Sequence, residues 1–216
     1  MEKFALIVGG GQGLRFGGEV PKQFQLLDGR PVLFRSVDLF ADIADQIVVV
    51  IPQTQFEYFQ SLAQQFELGV APDRFQLVAG GNTRTESVHN GLKALSGDGI
   101  VAIHDAVRPM ATTTLVRDLF DEAIIHGSAI PVIPVRDSLR KKTDAVTVAV
   151  DREQYVAVQT PQCFDFSRLM NAYREQTTGS FTDDASLFES TGGKVHLVGG
   201  ENSNIKITWP EDLYFA

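Results

Sequence analysis

Two cations inside a glycine-rich loop raise the first chemical question. The run Gly9-Gly10-Gly11-Gln12-Gly13-Leu14-Arg15-Phe16 continues through Gly17 and Gly18 to Pro21-Lys22-Gln23. Glycines let backbone N–H groups come close to a bound anion, and Arg15 and Lys22 add positive charge beside them. Such a loop can wrap a triphosphate, the backbone donating hydrogen bonds and the side chains supplying charge. Two familiar anion loops fail on spelling. G-x-G-x-x-G is met at Gly11 and Gly13 but not at Phe16, and G-x-x-x-x-G-K-[ST] is met at Gly13 and Gly18 but not at Glu19. A glycine loop alone also describes a flexible turn with solvated charges, so other groups must converge on it.

Several stretches offer such groups. Gly80-Gly81-Asn82-Thr83-Arg84-Thr85-Glu86-Ser87-Val88 opens a helix, and Asn82, Thr83 or Thr85 suits its N-cap. The functional alternative is that the backbone near Gly81 and the Ser87 hydroxyl read a base edge; spacing alone favours the cap. In Ile103-His104-Asp105-Ala106-Val107-Arg108-Pro109, Asp105 stands just beyond a buried strand, where a carboxylate can hold Mg²⁺ against phosphate oxygens. His104 reads as packed rather than catalytic, and Arg108 as an ion pair or a rim contact. Further on come Asp151-Arg152, Thr160-Pro161-Gln162 and Thr182-Asp183-Asp184, the last reading as a helix start capped by Thr182. Strand alternation through Asn204-Ile205-Lys206-Ile207-Thr208 sets Lys206 opposite the two isoleucines. Each stretch taken singly has a structural explanation; their joint occurrence changes the weighing.

Positioning these groups falls to a repeated strand–helix pattern. Apolar runs at 4–8, 47–51, 75–79, 100–103 and 129–133 are those of strands covered on both faces. Between them, Val32, Leu33, Val37 and Phe40 recur at helical spacing, as do Phe56, Phe59, Leu62, Ala63 and Phe66. Val88, Leu92 and Leu95 mark a third helix, and Leu115, Leu119, Ala123 and Ile124 a fourth. The alternation predicts an α/β fold, Rossmann-like and doubly wound, with a mostly parallel sheet whose ligands gather at the strands' carboxyl ends. Around 136–154 the pattern gives way to charged residues and then to Val146, Val148 and Val150 in alternation, which predicts a projecting β-hairpin arm.

The 216 residues suit one domain over 1–216, with the arm as an insertion. A net charge of −8 argues against nucleic acid as the partner, while a few converging cations can still make one cleft positive. No run of roughly 18 apolar residues offers a membrane span, and the first residues lack the basic and long apolar regions of a signal peptide. A lone Cys163 fits a reducing, cytoplasmic setting and reads as a small core side chain.

In order along nearly the whole chain, these segments resemble the cytidylyltransferases that act on 2-C-methyl-D-erythritol 4-phosphate in the non-mevalonate route to isoprenoid precursors. The glycine loop with Arg15, Pro21-Lys22-Gln23, G-G-x-x-R-x-x-S-V at 80–88 and His104-Asp105-Ala106-Val107-Arg108-Pro109 carry the likeness. So do Val135-Arg136-Asp137-Ser138, Val150-Asp151-Arg152, Gln159-Thr160-Pro161-Gln162, Thr182-Asp183-Asp184-Ala185 and Asn204-Ile205-Lys206-Ile207-Thr208.

The resemblance implies that Arg15 and Lys22 contact the triphosphate and stabilise the charged transition state. Gly9, Gly10, Gly11, Gln12 and Gly13, with Gly81, Asn82 and Ser87, would bind the nucleotide. Asp105 would lie by a divalent metal, Mg²⁺ or a similar cation, and by the acceptor phosphate. Arg108, Ser138, Arg152, Thr160, Thr182 and Lys206 would receive the acceptor, Ser138 and Arg152 from a second subunit through the arm of a homodimer. The implied reaction moves CMP from CTP to 2-C-methyl-D-erythritol 4-phosphate. The alternatives are a ribitol 5-phosphate cytidylyltransferase and a non-catalytic nucleotide-binding protein on the same scaffold. Departures exist: Gly9-Gly10-Gly11 replaces a frequent Ala-Ala-Gly, Asn82 a frequent acid, Ser138 a frequent Thr and Ser203 a common Asp.

Overall fold

The computed structural model describes residues 1–10, 16, 20–144, 146–175 and 181–216. The chain starts with β1 (Glu2–Val8), a short ladder of β2 (Leu26–Leu27) with β3 (Arg30–Pro31), then α1 (Val32–Ala41) and β4 (Gln46–Ile51). Next come α2 (Phe56–Gln65), β5 (Phe75–Ala79), α3 (Arg84–Leu92), β6 (Gly99–Asp105), α4 (Thr113–His126) and β7 (Ser128–Pro134). A hairpin of β8 (Arg140–Lys142) and β9 (Thr147–Ala149) precedes β10 (Val156–Val158), β11 (Gln162–Asp165) and α5 (Phe166–Glu175). The chain closes with α6 (Asp184–Ser190), β12 (Leu197–Gly199) and α7 (Asp212–Phe215).

The central sheet runs β10-β7-β11-β6-β1-β4-β5, with β12 beside β7. β1 pairs in parallel with both β4 and β6, and β4 with β5. β11 runs antiparallel between β6 and β7. Period-2 alternation explains why the strands read as continuous apolar runs: both faces are covered. Ala5, Ile7, Val49 and Ala102 join a core with α1 and α4, while Phe4, Leu6, Val50 and Val101 join a second core with α3, α5 and α6. α3 lies so close to the sheet that a Cβ on Gly91 would collide with the side chains of Leu6 and Val50.

The predicted strands and helices are present, with local corrections. Leu95 lies beyond the end of α3, and Ile124 is half-exposed on α4 rather than in the core. The segment 204–208 is not a strand, because it pairs with no ladder; the alternation survives, with Ile207 N–H donating to Val107 O and Ile207 buried while Lys206 is exposed. β11, one of two antiparallel members with β10, is hidden in the sequence by its mixed composition, Gln162-Cys163-Phe164-Asp165. The arm is a hairpin as expected, Arg140 opposite Ala149 and Lys142 opposite Thr147.

Candidate functional site

The register of β1 against β6 sets Val8 opposite Asp105, so the glycine loop and the carboxylate leave the sheet side by side. The strand order reverses at this point, with β4 and β5 to one side of β1 and β6 to the other, which is where α/β sheets open a ligand crevice. The backbone stays tied as it exits: Gly9 N–H donates to Val50 O at 2.8 Å and Ala106 N–H to Val8 O at 3.0 Å. A cleft of about 700 Å³ opens there, walled by Gly9, Gly10, Lys22, Gly81, Asn82, Arg84, Asp105 and Lys206, among others.

The start of α3 forms one wall. Thr83 is the cap, its hydroxyl oxygen accepting from Glu86 N–H at 3.1 Å, while Glu86 Oε2 accepts from Asn82 N–H at 2.7 Å. Ser87 is buried beneath the cleft: its hydroxyl donates to Thr83 O at 2.8 Å and accepts from Gly81 N–H at 3.0 Å. A Cβ on Gly10 would stand 3.0 Å from that same oxygen, which is why a bare backbone crosses here. Ser87 therefore fixes the shape of the Gly81 turn from below.

Asp105 is the electrostatic centre. Its Oδ2 takes Lys206 Nζ at 2.9 Å and Arg108 Nε at 3.4 Å. Burial pushes the Asp105 carboxyl up, but Lys206 and Arg84, followed by Arg108, outweigh it and hold the group well below the usual carboxylate range. It is ionised at neutral pH. Arg84 is held by a bidentate pair with the buried Asp184, at 3.1 and 2.6 Å, and Tyr173 O–H donates to Asp184 at 2.5 Å. A second recess of about 280 Å³ adjoins the cleft and shares Arg84, Asp105 and Lys206 with it, adding Arg108, Thr160 and Thr182.

A buried chain of hydrogen bonds fixes the backbone that bears this carboxylate. His104 Nε2 lies 3.1 Å from Arg108 O, which can only accept, so Nε2 carries the proton. Nδ1 then accepts from the Thr160 hydroxyl at 3.3 Å, and the Thr160 oxygen accepts from Asp105 N–H at 3.0 Å. The proton of Thr160 is thereby engaged with His104. Burial lowers the His104 pKa from 6.5 to about 4, so the ring is neutral at pH 7. A histidine depressed in the folded state takes up protons more readily when unfolded, so its contribution is full above pH 6.5 and shrinks as pH falls towards 4. Wild-type stability is expected to drop by roughly 3 kcal/mol more than that of His104→Gln across this window. Urea unfolding at pH 7 and pH 4.5 checks this, and parallel losses in the two proteins would refute it.

Gly9, Gly10, Lys22, Gly81, Asn82, Asp105 and Lys206 line one cleft, Arg108, Thr160 and Thr182 the adjoining recess. Lys22 Nζ also donates to Ile207 O at 3.1 Å. Thr182 does not cap α6; Asp183 does, accepting from Ser186 N–H at 3.0 Å, because its carboxylate reaches the first turn one residue nearer the helix. The Thr182 side chain is left exposed at the recess. Ser138 and Arg152 line a separate hollow on the arm and touch neither cleft within this chain. Gly11, Gln12, Gly13 and Arg15 lie outside the described residues.

Three site residues escaped the sequence reading. Gln23 is buried and donates to Gly9 O at 3.2 Å and Gln55 Oε1 at 2.7 Å, pinning the loop's end to its beginning. Asn204 is buried, donates to Thr160 O at 2.9 Å, and its Oδ1 has no partner among the described residues. Arg84 left one signal: it is the first residue of α3, where a cation works against the helix dipole and must be wanted for something else.

A reversed strand order, a glycine turn and two adjoining hollows around one ionised carboxylate suit an α/β nucleotidyltransferase. A sequence model of the 2-C-methyl-D-erythritol 4-phosphate cytidylyltransferase family matches residues 4–216, and the chain belongs to that family. Relatives of that name from Bacteroides fragilis and Porphyromonas gingivalis are 42% and 43% identical, covering 100% of this chain and 98% and 96% of theirs. Among solved structures, the Anaerococcus prevotii 4-diphosphocytidyl-2C-methyl-D-erythritol synthase superposes with a TM-score of 0.84 at 29% identity, covering 100% of this chain and 96% of that one. The Thermus thermophilus 2-C-methyl-D-erythritol 4-phosphate cytidylyltransferase gives 0.78 at 32%, covering 100% and 97%.

Proposed function

We propose that the protein transfers CMP from CTP to 2-C-methyl-D-erythritol 4-phosphate, forming 4-diphosphocytidyl-2-C-methyl-D-erythritol and pyrophosphate. The observation carrying this reading is the shared wall: Arg84, Asp105 and Lys206 stand between a nucleotide-sized cleft and a smaller recess suited to a second phosphate. The full-length likeness to relatives of that name supports the choice of acceptor.

An oxygen of the acceptor's phosphate attacks the α-phosphorus of CTP and the bond to pyrophosphate breaks. The attacking group is already an anion, so no side-chain nucleophile is required. Cys163, whose thiol burial pushes up, and the neutral, buried His104 are unsuited to that role in any case. What the chain must supply is position and positive charge. Lys22 and Arg15 serve the triphosphate, and Lys206 the acceptor side. Gly9, Gly10, Gly81 and Asn82 present backbone to the base, and Ser87 holds that backbone in place. Thr160 orients Asp105 through its own oxygen.

Asp105 suits a hard divalent cation such as Mg²⁺: it is ionised, and the two cations both meet Oδ2, which leaves Oδ1 as a ligand. A bound divalent ion supplies charge neutralisation on phosphate oxygens. Val146 and Val148 in the arm are exposed, as are Val156 and Val158 on the neighbouring edge strand β10, which supports a homodimer that delivers Ser138 and Arg152 to the partner subunit's recess. One nucleotidyltransferase domain over 1–216, with its arm, accounts for all these features. Among the described residues no helix is long and apolar enough to cross a membrane.

The test is pyrophosphate release from CTP with each sugar-alcohol phosphate, with and without Mg²⁺. Release is expected with 2-C-methyl-D-erythritol 4-phosphate and Mg²⁺ together. Release with ribitol 5-phosphate alone would overturn the acceptor, and none with either would overturn the transferase reading.

A further inference from the structure

Outside both hollows, three side chains that line neither come together on the surface. Glu122 and His126 are four residues apart on α4, hence on one face of the helix, and His196 precedes β12. Glu122 Oε2 lies 3.2 Å from His126 Nε2 and 3.2 Å from His196 Nε2. The two imidazoles stack with centroids 3.8 Å apart and planes 13° from parallel. Among the described residues this is the one group of three or more His, Cys, Asp or Glu whose ligand atoms all lie within 4.8 Å of one another.

We propose that Glu122, His126 and His196 form a binding site for Zn²⁺, separate from the divalent-cation site at Asp105. Two ligand atoms about 2.0–2.2 Å from one tetrahedral Zn²⁺ are spaced about 3.3 Å apart, which the two 3.2 Å nitrogen–oxygen separations match. The donor set decides the metal class: two imidazole nitrogens and one carboxylate favour zinc, whereas Mg²⁺ prefers oxygen ligands throughout. Both rings turn Nε2 toward the same Glu122 oxygen, and side-chain rotation that unstacks them lets their in-plane lone pairs converge on the ion. All three side chains are partly exposed, with 37–42% of each accessible, so an ion can enter and keep water in the fourth position.

The backbone beneath is fixed before any metal arrives. His196 N–H donates to the buried Ser128 Oγ at 3.3 Å, His196 O accepts from Ile130 N–H at 2.9 Å, and Ser128 O–H donates to Lys194 O at 2.7 Å. α4 ends beside this strand through the left-handed Gly127. A bound Zn²⁺ thus clamps the C-terminal end of α4 to the β7–β12 edge, and by mass action it stabilises the fold.

Metal-stripped full-length protein titrated calorimetrically with Zn²⁺ in excess Mg²⁺ tests the site. Wild type is expected to bind one equivalent and to melt at higher temperature with it. His126→Ala and His196→Ala each should weaken that binding about 100-fold or more, since losing even an outer partner of a ligand costs 10–100-fold. Asp105→Asn should leave it unchanged. The proposal is overturned if wild type binds no Zn²⁺ under these conditions, if either histidine variant binds as wild type does, or if the equivalent disappears in Asp105→Asn.

Discussion

Alanine in place of Lys22 is expected to lower kcat about 10²–10³-fold while the protein remains folded, the range seen when one preorganised donor to developing charge is removed. Lys22 opens a short helical turn, Lys22–Phe24, that no side chain caps. Gln23 holds that turn through Gly9 O and Gln55, and Phe24 is buried in the core, so the backbone stays where it is. What disappears is a positive charge on the cleft wall, together with the hydrogen bond from Lys22 Nζ to Ile207 O. Lys22→Arg keeps the charge but replaces a compact point donor with a planar fork, so it should recover only part of the rate. Steady-state pyrophosphate release, with circular dichroism melts as the folding control, separates the cases. A near-normal kcat in a folded Lys22→Ala protein would remove the residue from the reaction.

The positions of the strands were legible because burial on both faces leaves an apolar run that polar chemistry cannot imitate; Phe75–Ala79 falls where the sequence puts it. β11 was not, since a strand flanked by two neighbours can include Gln162 and Asp165 when their side chains serve α6 and α5. Asp105 was legible as the polar residue ending a buried strand. Its partner Lys206 was placed on the correct face for the wrong reason, an alternation without a ladder. Arg84 is not legible, because its partner Asp184 lies a hundred residues away in sequence and nothing in spacing links the starts of two helices. Thr182 and Asp183 both suit the cap of α6 in sequence, and only the path of the backbone chooses Asp183.

Arg84→Met is expected to carry the largest stability effect. Asp184 has no exposed surface, and Arg84 meets both of its oxygens. Removing one partner of a buried pair strands the other charge, which costs about 3–5 kcal/mol. The loss should sit near the lower end, because Arg84 is part-exposed and Tyr173 still donates to the carboxylate. Urea unfolding reads this as a lower midpoint with an unchanged slope. Arg84→Met combined with Asp184→Leu should regain much of the loss, since it is the lone charge and not the missing bond that costs most. The comparison matters for function because Arg84 also lines both hollows, so an activity assay of the single variant cannot separate ligand contact from architecture. If the single variant unfolds at the wild-type urea concentration, Arg84 does not hold α3 to α6, and its place against the helix dipole is owed to a bound phosphate instead.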